Sequence, residues 1–354
     1  MSESDVTRDG VRGERPGRDA LVGRGMGDGE RPGGKRRGRK GGTGRRGDQP
    51  MVPRAEFTSY YGRPVLNPPT WQPRDIAGYF FLGGLAGAGS VLAAGAELTG
   101  RPGMARALKV SSLAALTGST AALIHDLGRP GRFAHMLRVF KPTSPMSVGS
   151  WLLAAYGPVT GAALASDLTR RLPRAGRAAT VAAALLGPAV ASYTAVLAAD
   201  TAVPAWHDGY RELPYLFVGS AATAAGGMAL LASPVAENAP ARGVALLGTA
   251  VETAAVKAME RRLGVVAETY REGRAGRLMR TAEALSAAGA LGGALLGRRS
   301  RTAAALSGAA LLAASACTRF GVFHAGMRSA KDPKYTVLPQ RERLEARRER
   351  PREG

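Results

Sequence analysis

The sequence predicts an all-α integral membrane protein with eight transmembrane helices, and three observations carry this prediction. Residues 75–325 consist of stretches rich in Ala, Leu, Gly and Val, separated by short breaks rich in Arg. An apolar helix needs about 20 residues to cross the hydrocarbon core, and eight stretches have about this length. The first 50 residues hold 13 Lys or Arg, 8 Asp or Glu and 14 Gly, a composition that cannot bury a core.

The predicted spans, in chain order, are residues 75–97, 107–126, 146–167, 178–199, 213–233, 241–260, 277–297 and 302–324. The predicted domains are a disordered Gly/Arg-rich tail at 1–56, a transmembrane domain at 57–330 and a disordered charged tail at 331–354. Small residues dominate every span, so the helices can approach closely and pack by van der Waals contact. Gly157-Pro158 and Gly187-Pro188 predict kinks in the third and fourth spans.

An even number of spans places both termini on the same side of the cell membrane. The polar and aromatic residues that we expect on this terminus side are Trp71, Asp75, Tyr79, His125, Asp126, Asp200, Trp206, His207, Asp208, Arg319 and His324. The opposite side carries Glu97, Asp167 and Arg-rich turns. Those turns favour a cytoplasmic location for the opposite side, whereas the basic N-terminal tail favours the reverse. The absolute orientation stays open.

Composition also bears on cofactors and partners. The chain has one cysteine, Cys317, and four histidines, whereas an iron–sulfur cluster needs about four thiolates. We therefore expect no haem, iron–sulfur cluster or other metal site in this chain. The basic tail has no aromatic residue to stack bases and is interspersed with acids, so we expect it to rest on anionic lipid and not to bind nucleic acid.

The break after the second span has its own local structure. Gly128 suits a left-handed helix end, and Ser144 followed by Pro145 suits the start of the third span. Between them, apolar residues recur at the i, i+3, i+4 and i+7 spacing, namely Phe133, Met136, Leu137 and Phe140. This spacing predicts a short amphipathic helix at the membrane interface.

Four segments together resemble a known family. They are Tyr60-Tyr61-Gly62-Arg63-Pro64, the run from Tyr79 to Ala88, Asp126-Leu127-Gly128-Arg129-Pro130, and the run from Ser144 to Trp151. Over about residues 57–338 the chain resembles the NrfD/polysulphide reductase membrane-subunit family. The resemblance implies two four-helix bundles, no cofactor in the subunit, and a quinone pocket beside an iron–sulfur partner subunit. That partner would connect the chain to a molybdopterin catalytic subunit.

The chemistry of a quinone (menaquinone or ubiquinone) agrees with this resemblance. A quinone needs hydrogen-bond partners for two carbonyls, a proton donor and an apolar slot. His125 and Asp126, where the second span meets the interface, can donate and relay protons. The alternative interpretation is a helix-end pair satisfied by Arg129 or Arg132.

Three further residues are candidates for quinone contact. They are Tyr79, Trp151 and Asp200. The two aromatic residues fit an interfacial belt better. Asp200 is alternatively no more than the end of the fourth span.

Glu252 stands apart because it lies near the centre of the sixth span. Burying a charged carboxylate there costs about 2.5 to 3.5 kcal/mol, so a functional role is the default, and we expect it to supply protons to the quinone. The alternative is a structural pair with Lys257. Glu283 in the seventh span is shallower. Arg319 either faces a proton path or snorkels to the interface, and snorkelling is favoured.

The sequence thus predicts a cofactorless membrane subunit of a molybdopterin/iron–sulfur oxidoreductase, which exchanges electrons between quinone and the iron–sulfur partner. Arg129, Arg132 and Arg138 are expected to dock that partner or lipid headgroups. A transporter or ion-translocating protein is the main alternative, and a purely structural anchor is a weaker one. The terminal substrate and the direction of electron flow stay open.

Overall fold

The computed structural model describes residues 6–7, 10–11, 64–129 and 131–349. The chain divides into two units, Met1–Ala55 and Glu56–Gly354. In the first unit, Val6–Thr7 (β1) pairs antiparallel with Gly10–Val11 (β2). The predicted disorder of residues 1–56 otherwise lies outside the described residues.

Helices make up the described part of the second unit. In chain order they are α1 Pro73–Leu98, α2 Pro102–Asp126, α3 Gly131–Met136, α4 Pro145–Thr169, α5 Pro173–Ala199, α6 Pro204–His207, α7 Leu213–Ala232, α8 Ala239–Arg262, α9 Glu268–Arg271, α10 Gly273–Leu295, α11 Arg301–Lys331 and α12 Lys334–Glu349. Short 3-10 turns at Val235–Glu237 and Gly264–Ala267 flank α8. Each of the eight predicted spans overlaps one long helix.

Six of the long helices are long and apolar enough to cross a membrane: α1, α2, α4, α5, α7 and α11. Helices α8 and α10 have 24 and 23 residues but carry more charge, including Glu252, Lys257, Arg280 and Glu283. The chain is therefore a multi-pass helical membrane protein. Six crossings follow from length and composition alone.

Helix ends follow the expected chemistry only in part. Proline occupies the first turn of α1, α2, α4 and α5, where its missing N–H costs nothing. Gly128 has φ +69°, as its predicted left-handed conformation requires. Ser144 precedes α4 as predicted, but its side chain makes no capping hydrogen bond. Pro158 and Pro188 lie inside α4 and α5, which continue past both.

Helices α1 and α7 contact each other, and each also packs against several other helices. Helix α1 packs against α2, α5 and α11, whereas α7 packs against α8, α11 and α5. Small residues make the closest crossings, as predicted. A Cβ on Gly87 would lie 2.9 Å from the Ala191 nitrogen of α5, and one on Gly219 would lie 2.6 Å from the Glu252 nitrogen of α8. The second crossing brings the Glu252 backbone against α7.

Two local predictions are wrong. Residues 334–349 of the supposedly disordered C-terminal tail form α12, and Tyr335 at its start is 2% exposed. The reason is that Lys334 pairs with Glu268 at 2.6 Å and Tyr335 is buried in the core. The predicted amphipathic helix of the α2–α4 break is also shorter than expected, because α3 ends at Met136, before Leu137 and Phe140.

Candidate functional site

Polar residues gather at one end of the helices. His125, in the last turn of α2, places Nδ1 2.8 Å from Oδ2 of Asp75 in the first turn of α1. At the same end Trp71 stacks on Trp206 with ring centroids 5.6 Å apart. Arg262, the last residue of α8, donates to the main-chain oxygen of Asp208 at 2.5 Å. We call this end the Asp75 face.

The Asp75–His125 pair is asymmetric in its exposure. The Asp75 side chain is 11% exposed and that of His125 is 72% exposed. A carboxylate that holds one ring nitrogen fixes the orientation of the imidazole. Most of the ring therefore faces outward and is free to exchange a proton or a hydrogen bond with a ligand.

Asp126 has a different task from its neighbour. Its Oδ1 accepts a hydrogen bond from the main-chain nitrogen of Gln72 at 3.1 Å, and Gln72 is the N-cap residue of α1. The carboxylate of α2 thus satisfies backbone at the start of α1, where a negative charge also complements the helix dipole. The partner of Asp126 at this helix end is therefore the backbone N–H of Gln72, and not Arg129 or Arg132 as the helix-end alternative expects.

The second polar centre lies in the interior, around Glu252 of α8. Glu252 is 5% exposed. Oε1 accepts a hydrogen bond of 2.5 Å from the Thr318 hydroxyl of α11, and Oε2 accepts one of 3.4 Å from the Thr223 hydroxyl of α7. The carboxylate is therefore held between three helices by neutral donors.

Arg319 follows Thr318 on α11 and is fully buried. Its Nη2 donates to the main-chain oxygen of Phe217 at 2.6 Å. Nε and Nη1 have no hydrogen-bond partner among the described residues. Among the described residues Arg319 and Glu252 form no direct ion pair, although Thr318, which donates to Glu252, directly precedes Arg319 on α11.

The favoured prediction that Arg319 snorkels to the interface is wrong. Gly84 of α1 explains how the side chain stays inside, since a Cβ there would lie 3.0 Å from Nη2. The absent side chain leaves room for the guanidinium between α1 and α7.

Lys257 is not the partner of Glu252. Its Nζ lies 3.3 Å from Oε1 of Glu283 on α10, and both side chains are about half exposed. This pair lines a cavity of about 320 Å³ between α8 and α10, which Glu252 and Thr318 also line. The cavity continues to Glu260 at 16% side-chain exposure and to Arg271 of α9. Because α8 ends at the Asp75 face, this charged part of the cavity lies towards that face.

A family model for polysulphide reductase NrfD matches residues 67–247, about half of the chain. The chain belongs to this NrfD family. The resemblance seen in the sequence is thereby confirmed over a shorter range than expected. No curated protein matches the chain. The NrfD match contains Asp75, His125 and Asp126, whereas Glu252 and Arg319 lie beyond its end.

Other predicted site residues of this NrfD chain occupy varied environments. Tyr79 is 2% exposed, so its interpretation as a belt aromatic is wrong. Its hydroxyl contacts that of Tyr193 on α5, which buries the ring between helices. Trp151 is 40% exposed and meets Phe140 edge-on. Asp200 is the C-cap residue of α5, and its contact with quinone stays a prediction.

The three arginines expected to dock a partner of the NrfD chain, Arg129, Arg132 and Arg138, are all exposed.

The opposite end of the helices carries ion pairs that the sequence analysis does not predict. Lys109, 5% exposed, binds Glu97 at 2.6 Å, and Arg106 binds Asp167 at 2.8 Å. In the described part of the chain no three His, Cys, Asp or Glu side chains form a metal-binding group.

The sequence analysis places Asp75 at the correct end of the helices but does not predict its contact with His125. It also does not predict that Thr318 binds Glu252. A feature of the sequence indicates each of these two contacts in the NrfD chain. Asp75 lies in the first turn of one span and His125 in the last turn of the next, so antiparallel packing brings them together. Thr318 directly precedes Arg319, a charged residue within a predicted span.

Proposed function

We propose that this chain is the cofactorless membrane subunit of a polysulphide reductase-like oxidoreductase. It binds quinone or quinol at the Asp75 face and exchanges electrons with an iron–sulfur partner subunit, which serves a molybdopterin catalytic subunit. Membership of the NrfD family supports the membrane-subunit role. The quinone supplies the two-electron, two-proton chemistry, and the residues of the chain bind it and move its protons.

The observation that carries the quinone assignment is the Asp75–His125 pair. The His125 ring is 72% exposed at its side chain and held at 2.8 Å by Asp75. An imidazole that is oriented by a carboxylate and exposed on its other edge can hydrogen-bond a quinone carbonyl and exchange a proton with it. Apolar surface at the same end, which a quinone ring needs, comes from the half-buried Trp71, which stacks on the fully buried Trp206.

We also propose that α8 and α10 cross the membrane, for eight crossings in two four-helix bundles. A helix of 24 residues is about 36 Å long, more than the roughly 30 Å of the hydrocarbon core. The charged residues that lower the mean hydropathy of α8 and α10 include Lys257, Arg280 and Glu283, which line the cavity between the two helices. Charged side chains inside a membrane usually face such a water-accessible space.

Replacing His125 by Ala tests the quinone assignment. We expect quinol-coupled turnover of the complex to fall by about a hundredfold, the usual contribution of a positioned acid or base. Turnover with a soluble dye should not change, because the dye delivers electrons to the catalytic partner directly. His135, exposed on the neighbouring α3, gives the matched control His135→Ala, which should retain both activities.

Normal quinol turnover in His125→Ala would show that the quinone site does not lie at the Asp75 face. Equal loss of both activities would instead mean that the complex has failed to assemble. Co-purification of the partner subunits separates these two outcomes.

A further inference from the structure

We propose that a cavity between the start of α10 and the end of α11 binds the phosphate group of an anionic ligand. The cavity has a volume of about 530 Å³. Its basic lining residues are Arg274 of α10 and His324, Arg328 and Lys331 of α11. It belongs to the Asp75 face, because Nε1 of Trp206 donates to the main-chain oxygen of Val322 at 2.8 Å, just before this part of α11. The proposal does not depend on the quinone site.

The geometry of two helices brings the basic side chains together. His324, Arg328 and Lys331 follow one another at the i, i+4 and i+7 positions of α11, which share one face of a helix. The start of α10 reaches this face, because a Cβ on Gly273 would lie 3.4 Å from Nη1 of Arg328. Cations from both helices therefore line one space.

The charges around the cavity leave an excess of cations. Two carboxylates also line it, those of Glu272 and Asp332. Glu272 binds Nη2 of Arg328 at 2.7 Å, and Oδ1 of Asp332 accepts a main-chain N–H at 3.0 Å. Among the described residues neither Arg274 nor Lys331 has an ion-pair partner. Three cations thus accompany two carboxylates, and the excess positive charge attracts an anion.

The first turn of α10 adds to this positive potential. The helix has 23 residues, and its N-cap residue Glu272 makes no side-chain capping hydrogen bond. The first N–H groups of a helix have no acceptor within it, and they carry the positive end of the helix dipole. A phosphate near such a helix start is stabilised by both effects.

His324 gives an independent indication of a ligand. Its Nε2 atom is buried and has no hydrogen-bond partner among the described residues, although the residue lines the cavity. A buried polar atom without a protein partner is normally satisfied by an ion or an ordered water. A bound phosphate and the water around it supply such a partner.

A phosphate group matches the donors of this cavity. Guanidinium groups bind phosphate oxygens in pairs, and an ammonium group adds a point charge. Basic pockets between transmembrane helices are typical sites for anionic lipid headgroups. The apolar side chain of Met327 belongs to the same lining and suits the start of a lipid chain. A phospholipid of the adjoining leaflet is thus the favoured source of the phosphate, and free phosphate is the other source.

Native mass spectrometry of the delipidated full chain tests the site, with dioleoylphosphatidylglycerol or inorganic phosphate as the probe. Arg274→Gln with Lys331→Gln removes the two unpaired cations. Both side chains are exposed, so the variant should fold. We expect its binding of phosphatidylglycerol to weaken at least about tenfold, because charge-assisted hydrogen bonds are lost.

Two further variants serve as controls. Arg298→Gln with Arg299→Gln removes two exposed charges between the opposite ends of α10 and α11, and it should bind as the unaltered chain does. Arg274→Lys with Lys331→Arg keeps both charges of the cavity and should bind within about threefold of the unaltered chain.

The two probes identify the source of the phosphate. Loss of phosphatidylglycerol binding in the double Gln variant of the cavity assigns the site to lipid, whereas loss of inorganic phosphate binding alone assigns it to free phosphate. Both results support recognition of a phosphate group. The proposal is overturned if the unaltered chain binds neither probe, if the folded cavity variant binds both probes as before, or if the Arg298 and Arg299 control loses binding equally. No variant here changes Asp75 or His125, so failure of the quinone assignment leaves this test unaffected.

Discussion

The guanidinium of Arg319 lies over the ring of Phe217, with its central carbon 3.9 Å from the ring centroid. The main-chain oxygen of Phe217 also accepts a hydrogen bond of 2.6 Å from Nη2 of Arg319. A desolvated cation over an aromatic ring gains about 2 kcal/mol. One residue of α7 therefore offsets part of the cost of burying this charge, and Gly84 of α1 provides the space.

Replacing Gly84 by Val should destabilise the protein by about 1 to 3 kcal/mol, because the added methyl groups overpack against Arg319 and Ala221. Gly95→Val is the control, since Gly95 lies on the same helix with nothing within 4 Å of an added Cβ. Thermal unfolding in detergent measures both. A similar decrease in the two variants would show that helix propensity, and not the space around Arg319, determines the effect.

Two substitutions of Asp126 distinguish a structural role of its carboxylate from a role in quinone chemistry. Asp126→Asn keeps an oxygen acceptor for the Gln72 N–H, so stability and quinol-linked turnover should both be retained. Asp126→Ala removes the acceptor and should cost about 1 kcal/mol of stability, as loss of a cap does. Unfolding and turnover are measured on both variants. Loss of turnover in stable Asp126→Asn protein would instead assign Asp126 to proton transfer.

Reversing the charge of Arg129, Arg132 and Arg138 to Glu should release the iron–sulfur partner from the membrane, because these exposed side chains surround α3 beside the Asp75 face. The matched control reverses three exposed arginines at the opposite end, Arg170 and Arg171 of the α4–α5 break and Arg174 in the first turn of α5. Co-purification with the tagged membrane subunit is the measurement. Retention of the partner in the first variant, or its loss in both, would contradict docking at α3.

Periodicity and composition were sufficient for the long helices, because apolar stretches of about 20 residues have few other structures available. All eight predicted stretches are helical, and Gly128 has its predicted left-handed conformation. The depth of Glu252 along its helix likewise follows from counting residues. Its burial at 5% exposure depends instead on the helices packed around it.

The pairing of side chains across helices could not be read from the sequence. Lys257 is one turn from Glu252 on the same helix, yet it binds Glu283 of α10, while Glu252 is held by Thr318 of α11. Spacing along one helix determines which residues share a face, but the crossing of α7 with α8 at Gly219 determines what that face meets.

The sequence by itself therefore determined the helical membrane fold, its family and the end of the helices that carries Asp75 and His125. Only the tertiary structure decided that Tyr79 and Arg319 are buried, that Asp126 binds the backbone of α1, and that residues 334–349 form a helix. The physical reason is that hydropathy along a chain reports how much of each helix must leave water. The identity of each contact depends on which helices lie side by side and on the small residues that let them touch.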